Sequence, residues 1–203
     1  MGEAVSANLF LAFVVFAAVA SFTPGPNNVM LMGTGLNFGF QRAQPHVFGV
    51  ALGFALMVAL VGWGLGAIFT AYPILYTILK YAGATYLLYL AWHLARAGTI
   101  DPAEGNGRPM TFLQAAAFQW INAKAWVMAI AAITTYAAFA AFPLNVILIS
   151  LVFLGITVVS SWCWVLFGSA LRRFMTNPGA VRAFNIAMAV ALVASLYPVF
   201  AEH

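Results

Sequence analysis

Apolar residues run in long blocks along this chain, separated by short polar interruptions. Residues 4–41, 47–79 and 110–171 contain no Asp, Glu, Lys or Arg apart from Lys124. A membrane-crossing helix needs only about 20 apolar residues, so each block is more than one simple crossing. Proline ends or kinks a helix, and charged gaps cannot stay in hydrocarbon. Breaks are therefore expected at Pro24-Gly25-Pro26, at 41–45, at Tyr72-Pro73, at 98–109, at Phe142-Pro143 and at 172–182. The segments between them cover about 5–40, 47–68, 74–95, 111–138, 144–171 and 184–200. The first is long and interrupted by "SFTPGPNNVML"; the fourth carries a weaker interruption in "FQWINAKAWVM".

Residues 29–41 number 13, about 20 Å of helix, which is short for a hydrocarbon core about 30 Å thick. A discontinuous or re-entrant helix fits this stretch better than a clean hairpin, and the pattern leaves those two open. Placing Val29-Met30 over Val127-Met128 sets Pro24 opposite Asn122, an offset of 98 residues in a chain of 203. Three crossings per half is an odd number, so the second half must enter from the opposite side. The expectation is an all-α integral membrane fold. It has six transmembrane helices as a 3+3 inverted repeat, with helices 1 and 4 discontinuous. Residues 1–203 form one transporter domain, with halves of about 4–97 and 110–203. In transporters of this build, binding sites form where the broken helices meet near the midplane.

Composition agrees: 65% of residues are hydrophobic and 6% charged, against about 25% charged in soluble domains. The net charge of +4 is no nucleic-acid signature, because the cations are scattered and the arginines fall in the hydrophilic gaps. Arg42, Arg96, Arg108, Arg172, Arg173 and Arg182 all occupy loops on one side, and the loops at Pro73 and Pro143 carry none. The positive-inside rule makes the arginine side cytoplasmic and predicts both termini outside. Met1-Gly2-Glu3 lacks a basic n-region and no A-x-A site follows, so the first helix is expected to be retained. The single cysteine, Cys163, excludes an internal disulfide and reads as a small buried residue. His46, His93 and His203 share no metal-ligand spacing with it, so neither a metal nor another cofactor is expected. No nucleophile–base–acid set occurs in the membrane segments, which argues against an enzyme.

The candidate substrate-binding residues cluster at the two interruptions. Pro24 and Pro26 remove backbone donors and free carbonyls about one turn earlier, while Gly25 permits a tight turn. The helix starting near Asn27 offers unpaired N–H groups and a partial positive charge, which suits a carboxylate. Asn27 and Asn28 add amides, and Gln119 and Asn122 do the same at the second interruption. Lys124 is a deep intramembrane charge, costing about 2.5–3.5 kcal/mol on insertion scales. No carboxylate lies in any predicted segment, so its partner must be carbonyls, water, a half-helix C-terminus or an incoming anion. The bland alternatives are a structural proline kink and a snorkelling lysine. Gly35-x3-Gly39, Gly49-x3-Gly53 and Gly62-x-Gly-x-Gly66 read as sites of close helix packing.

With Thr23-Pro24-Gly25-Pro26-Asn27, the glycines at 35, 39, 49 and 53, "YAGATYLLYLAWHLAR" and Asn122-Ala123-Lys124, the chain resembles the LysE/RhtB family of bacterial amino-acid exporters nearly end to end. "TPGPNN", "LGF", "FQWINAK" and "CWVLFGSALRRF" are most similar to the branch exporting cysteine and O-acetylserine. A family glycine appears as Ala43 and the usual Asn-Pro-Lys as Asn122-Ala123-Lys124, which predicts a milder second break. Phe54 stands where several relatives carry an acidic or polar residue. The resemblance implies efflux of small neutral amino acids, cysteine/O-acetylserine-like or homoserine/threonine-like, across a bacterial inner membrane by antiport. It implies protons as the coupling ion, the bilayer as surroundings and no cofactor; it names no coupling residue and leaves homo-oligomerisation open. A thiol-disulfide carrier would need two cysteines. A cation or metal transporter would need deep carboxylates or histidines.

Overall fold

The computed structural model describes residues 2–72, 74–96, 108–174, 178–194 and 196. All regular structure among them is helical. α1 (Gly2–Phe22) and α2 (Pro26–Arg42) follow each other across Thr23-Pro24-Gly25, with a bend of 54°. α3 (Gln44–Leu60) continues through a π-turn (Val61–Leu65), in which Gly64 has φ 111°, into the short α4 (Gly66–Ala71). After α5 (Ile74–Arg96) comes a second bent unit. It consists of α6 (Phe112–Phe118), a 3-10 turn (Gln119–Ile121), α7 (Ala123–Tyr136) and a 3-10 turn (Ala137–Phe139). α8 (Leu144–Leu171), a 3-10 turn (Arg172–Phe174) and α9 (Pro178–Ala194) complete the described chain.

Two helices, Gln44–Leu65 and Leu144–Leu171, are long and apolar enough to cross a bilayer, and up to four spans result if each bent pair is one. The chain is therefore a multi-pass membrane protein. α5 and α9 do not meet that measure within their described residues, so the expected six crossings are not reached by length and composition alone.

Several boundaries differ from the sequence reading for identifiable reasons. The break expected at 41–45 shrinks to Ala43, because Pro45 sits in the first turn of α3, where a missing N–H is harmless. Chain reversal comes earlier, at Gly39, whose φ of 76° and ψ of 173° are available to glycine at little cost. The second break is sharper than the first, 70° against 54°, rather than milder. Asn122 makes it without proline: it adopts an extended backbone, and its side chain caps α7 by accepting from the Lys124 N–H at 3.2 Å. α9 starts before the expected 184, so Arg182 is helical. Cys163 faces outward from α8 rather than being buried. The hydrophilic stretch 98–109 lies outside the described residues except for Arg108 and Pro109, as do residues 197–203.

One apolar cluster joins α1, α3, α7 and α8 through Phe13, Phe54, Trp126, Ala129 and Phe153. A second joins α5 and α9 through Leu87, Ala91, Met188 and Leu192 and reaches Val29 and Phe118. Without water to drive association, helices in a bilayer gain from close backbone approach, and glycines supply it. A side chain at Gly35 would collide with the Val165 carbonyl, and one at Gly168 with the Met32 carbonyl, so α2 and α8 touch backbone to backbone. Gly49 and Gly53 do the same for α3 against Phe112, Ala115 and Ala116 of α6. Gly39, expected as a packing residue, instead turns the chain with open space beside it.

Gly168→Val should therefore force α2 and α8 apart. Overpacking typically costs about 1–3 kcal/mol, and backbone opposite the new side chain gives little relief. Gly155 on the same helix has nothing within 4 Å of an added Cβ; Gly155→Ala should be neutral or stabilising by up to about 1 kcal/mol. Melting of both purified variants in detergent compares them, and equal melting points would refute the packing assignment.

Candidate functional site

Both helix breaks open onto one cavity of about 440 Å³, counting its mouth. Its walls come from the end of α1 (Ala20, Ser21), the start of α2 (Gly25, Asn27, Asn28), α3 (Val50, Phe54), the second break (Gln119, Asn122, Lys124, Ala125, Met128) and α8 (Thr157, Ser160, Ser161).

α1 ends in a turn whose carbonyls lack helical partners, and side chains from elsewhere meet them. The Asn28 amide donates to both the Ser21 and Thr23 carbonyls at 2.9 Å. Ser160 of α8 donates to the Ser21 carbonyl at 2.8 Å. Lys124 Nζ, from the first turn of α7, donates to the Thr23 carbonyl at 2.6 Å. The lone deep cation thus rests on the negative end of α1, one of the partners the sequence left open. Gly25 makes this reach feasible, since a Cβ there would lie 2.9 Å from Lys124 Cδ and 3.1 Å from Nζ.

A second bridge joins the breaks. Asn27 Nδ2 donates to Gln119 Oε1 at 2.9 Å, and Gln119 Nε2 donates back to Asn27 Oδ1 at 3.1 Å. Gln119, fully buried, also donates to the Ala115 carbonyl. These two amides largely satisfy each other, so they act as a brace. α2 begins with extended Gly25 and Pro26 in its first turn, with no side chain capping it. The first amides of α2 are therefore available at the cavity, where a helix N-terminus favours negative charge.

Of the sequence-predicted residues, Gly25, Asn27, Asn28, Gln119, Asn122 and Lys124 come together around the cavity. Pro24 and Pro26 do not line it. Pro24 is exposed in the link, while Pro26 is buried in the first turn of α2, so both shape the break without touching the cavity. Missed by sequence reasoning were Ser21, Phe54 as a wall, and the trio Thr157, Ser160 and Ser161. The trio recurs at i, i+3 and i+4 within an otherwise apolar helix, the spacing of one helical face, and that signal could have found it. Two of the hydroxyls, Ser21 Oγ and Thr157 Oγ1, are buried without a hydrogen-bond partner. Buried polar groups normally have one.

The family model described as LysE type translocator matches residues 18–201. Proteins named cysteine/O-acetylserine efflux protein are 27% identical over 186 residues in Escherichia coli strain K12, Shigella sonnei and Shigella flexneri, covering 91% of this chain and 94% of theirs. No solved structure matches the chain significantly.

If the amide pair braces the two breaks, Asn27→Ala and Gln119→Ala should each destabilise the protein, and the double variant should lose less than the sum. The expected coupling is about 0.5–1.5 kcal/mol. Thermal or denaturant unfolding of the four proteins measures it; strict additivity would mean the amides do not support one another.

Proposed function

The chain belongs to the LysE type translocator family, making it a transporter rather than an enzyme, and from that premise we propose that it exports small neutral amino acids. The cargo class is cysteine/O-acetylserine-like, with homoserine/threonine-like as the neighbouring one. Export runs from the cytoplasm across the inner membrane and is driven by proton antiport.

The observation that carries this reading is Lys124 on the Thr23 carbonyl at the cavity wall, beside the uncapped start of α2. A zwitterion supplies what that arrangement lacks. Its carboxylate takes the Lys124 ammonium and the α2 amides, both of which favour an anion. Its ammonium group meets the hydroxyls of Ser21 and Thr157 and the carbonyl end of α1. Val50, Phe54, Ala125 and Met128 close around a short side chain, which disfavours long or charged ones. Relatives named for cysteine and O-acetylserine efflux support this choice of cargo.

Domain organisation follows the same proposal: one transporter domain with inverted halves of about 4–97 and 110–203, six crossings and both termini outside. An offset of 98 residues carries α3 onto α8 and α5 onto α9, and α3 packs on α8 and α5 on α9. Contact between equivalent elements is compatible with a two-fold relation between the halves.

Uptake of radiolabelled cysteine, O-acetylserine, homoserine and threonine into everted vesicles, with and without an imposed pH gradient, tests the assignment. Gradient-dependent accumulation of at least one is expected, and none moving would remove the exporter reading. Lys124→Met should lower transport by roughly tenfold to a hundredfold, the worth of a charged hydrogen bond, while leaving protein in the membrane. Unchanged transport would take Lys124 out of the site. Lys124→Arg should also be impaired, because a planar fork does not replace a point charge in the groove that Gly25 leaves.

Thr157→Val removes one unpaired hydroxyl at constant shape. Apparent affinity should weaken by up to about tenfold, one neutral hydrogen bond, with melting temperature unchanged or raised, since burying an unpaired hydroxyl is costly. Affinity equal to wild type would exclude that hydroxyl as a ligand for cargo.

A further inference from the structure

His46 is almost completely buried, with 1% of its surface exposed. Its Nδ1 lies 2.9 Å from Thr34 Oγ1, and that hydroxyl also donates to the Met30 carbonyl at 2.9 Å. A threonine hydroxyl has one proton. With that proton on Met30 O, the hydrogen of the His46–Thr34 contact must come from Nδ1. Nε2 is then a bare lone pair, and it has no hydrogen-bond partner. The result is a basic nitrogen of fixed tautomer held inside the membrane bundle.

Its place in the fold matters as much as its chemistry. His46 lies one turn before Val50 on α3, and Thr34 lies two turns after Asn27 on α2; Val50 and Asn27 both line the cavity. On α8, Val165 lies one turn past Ser161, another lining residue. Three helices thus carry the cavity wall down to one layer, and the imidazole sits in it. Packed in and around this layer are Leu31, Ala43, Val47 and Val165, buried together, with Phe40, Trp162 and Trp164 against them. Gly35 against the Val165 carbonyl brings α2 and α8 backbone to backbone at this level. The layer stands between the cavity and Arg42, on the side that the arginines make cytoplasmic.

Among the described elements packed against α3, no carboxylate or second histidine stands beside His46. The elements packed against α3 are α2, α6, α7, α8, the π-turn and the 3-10 turn at Gln119. Of these, α2 contributes Arg42, α7 contributes Lys124 and Tyr136, and α8 contributes Cys163; the others contribute none, and no carboxylate occurs on any of them. Arg42 and Cys163 are exposed, and Lys124 is engaged with Thr23.

We propose that His46 Nε2 is the proton-binding site of this transporter, the coupling group that takes a proton from water on the cavity side and releases it to the cytoplasm. This rests on the reading of proton-driven export above. Nε2 accepts the proton on its lone pair when the cavity above it holds water. Parting of the α2–α3–α8 layer then exposes the imidazolium to cytoplasmic water, which removes the proton. Thr34 keeps the ring oriented in both forms, because Nδ1 remains the donor throughout.

The test uses purified full-length protein in liposomes and radiolabelled cysteine and homoserine. His46→Asn keeps an amide donor near the Nδ1 position and removes Nε2; His46→Gln is measured beside it. Two transport modes are compared: exchange of amino acid against amino acid, which needs no proton, and net movement against an imposed pH gradient. Both variants are also checked for melting temperature. The expected result is exchange within about threefold of wild type in at least one variant, with gradient-driven movement and the accompanying proton flux lost by tenfold or more. Gradient-driven transport equal to wild type in either variant overturns the proposal. Loss of exchange and of gradient-driven movement together, in both variants, overturns it too and makes His46 a packing residue. Wild-type protein that exchanges amino acids but ignores the gradient sinks the proton-coupled reading itself, a different outcome from either.

Discussion

Inside a bilayer there is no water to receive the hydrogen-bonding groups that a broken helix exposes, so every break has to be satisfied by protein. Here each break supplies the groups the other lacks. α1 ends in free carbonyls at Ser21 and Thr23, and these are met by Asn28 from just past the break, by Ser160 from α8 and by Lys124 from the second break. Asn122 caps the start of α7, which holds Lys124 in place. The reciprocal bonds of Asn27 and Gln119 close the arrangement. Alone, either break would leave buried polar groups at a cost of roughly 1–3 kcal/mol each; together they form one polar centre in an apolar bundle.

That centre dictates the packing around it. Bonds near 2.9 Å between groups 92 or 139 residues apart need helix backbones held at fixed separations. The contacts at Gly35, Gly49, Gly53 and Gly168 hold them where a larger residue would keep the helices apart. The glycines therefore act on the site at a distance: they touch none of its polar groups apart from Gly25, yet they set how α2, α3, α6 and α8 converge. Gly25 differs in kind, because the space it leaves is occupied by the stem of Lys124.

Much of this was legible in the sequence, and the physical reason for each success or failure can be stated. Long charge-free blocks declared the membrane, because few other environments tolerate them. The two interruptions pointed to where the cavity lies, because prolines, asparagines and a lysine are costly in hydrocarbon. Segment 144–171 came out at its observed bounds, since both of its ends coincide with unambiguous signals, a proline and an arginine pair. Sharpness of the second break was misjudged because proline was taken as the strongest breaker. An asparagine in extended conformation with its side chain on the N–H two residues further on bends the chain more sharply, and that requires tertiary support invisible in a string of letters. Gly39 was misread because spacing alone cannot separate a glycine chosen for closeness from one chosen for positive φ. Thr157, Ser160 and Ser161 were passed over because small hydroxyl residues in a membrane helix usually bond their own backbone. Ser150 does so, donating to the Val146 carbonyl, whereas Ser160 reaches across to α1.

The resting partner of Lys124 also bears on how such a site would turn over. A cation left bare in the bundle would bind any anion strongly and release it slowly, and a carrier needs the reverse. The Thr23 carbonyl is a neutral acceptor, so an arriving carboxylate replaces one hydrogen bond with a stronger, charge-assisted one instead of filling an empty site. On the proposed reading, the gain on binding would be only the difference between two interactions, which would favour release. Asn28 holds the same Thr23 carbonyl from its other side, so the end of α1 keeps a donor when Lys124 leaves it. The break thus remains satisfied in both conditions, and the lysine can move between carbonyl and cargo without exposing a buried polar group at either end of its travel.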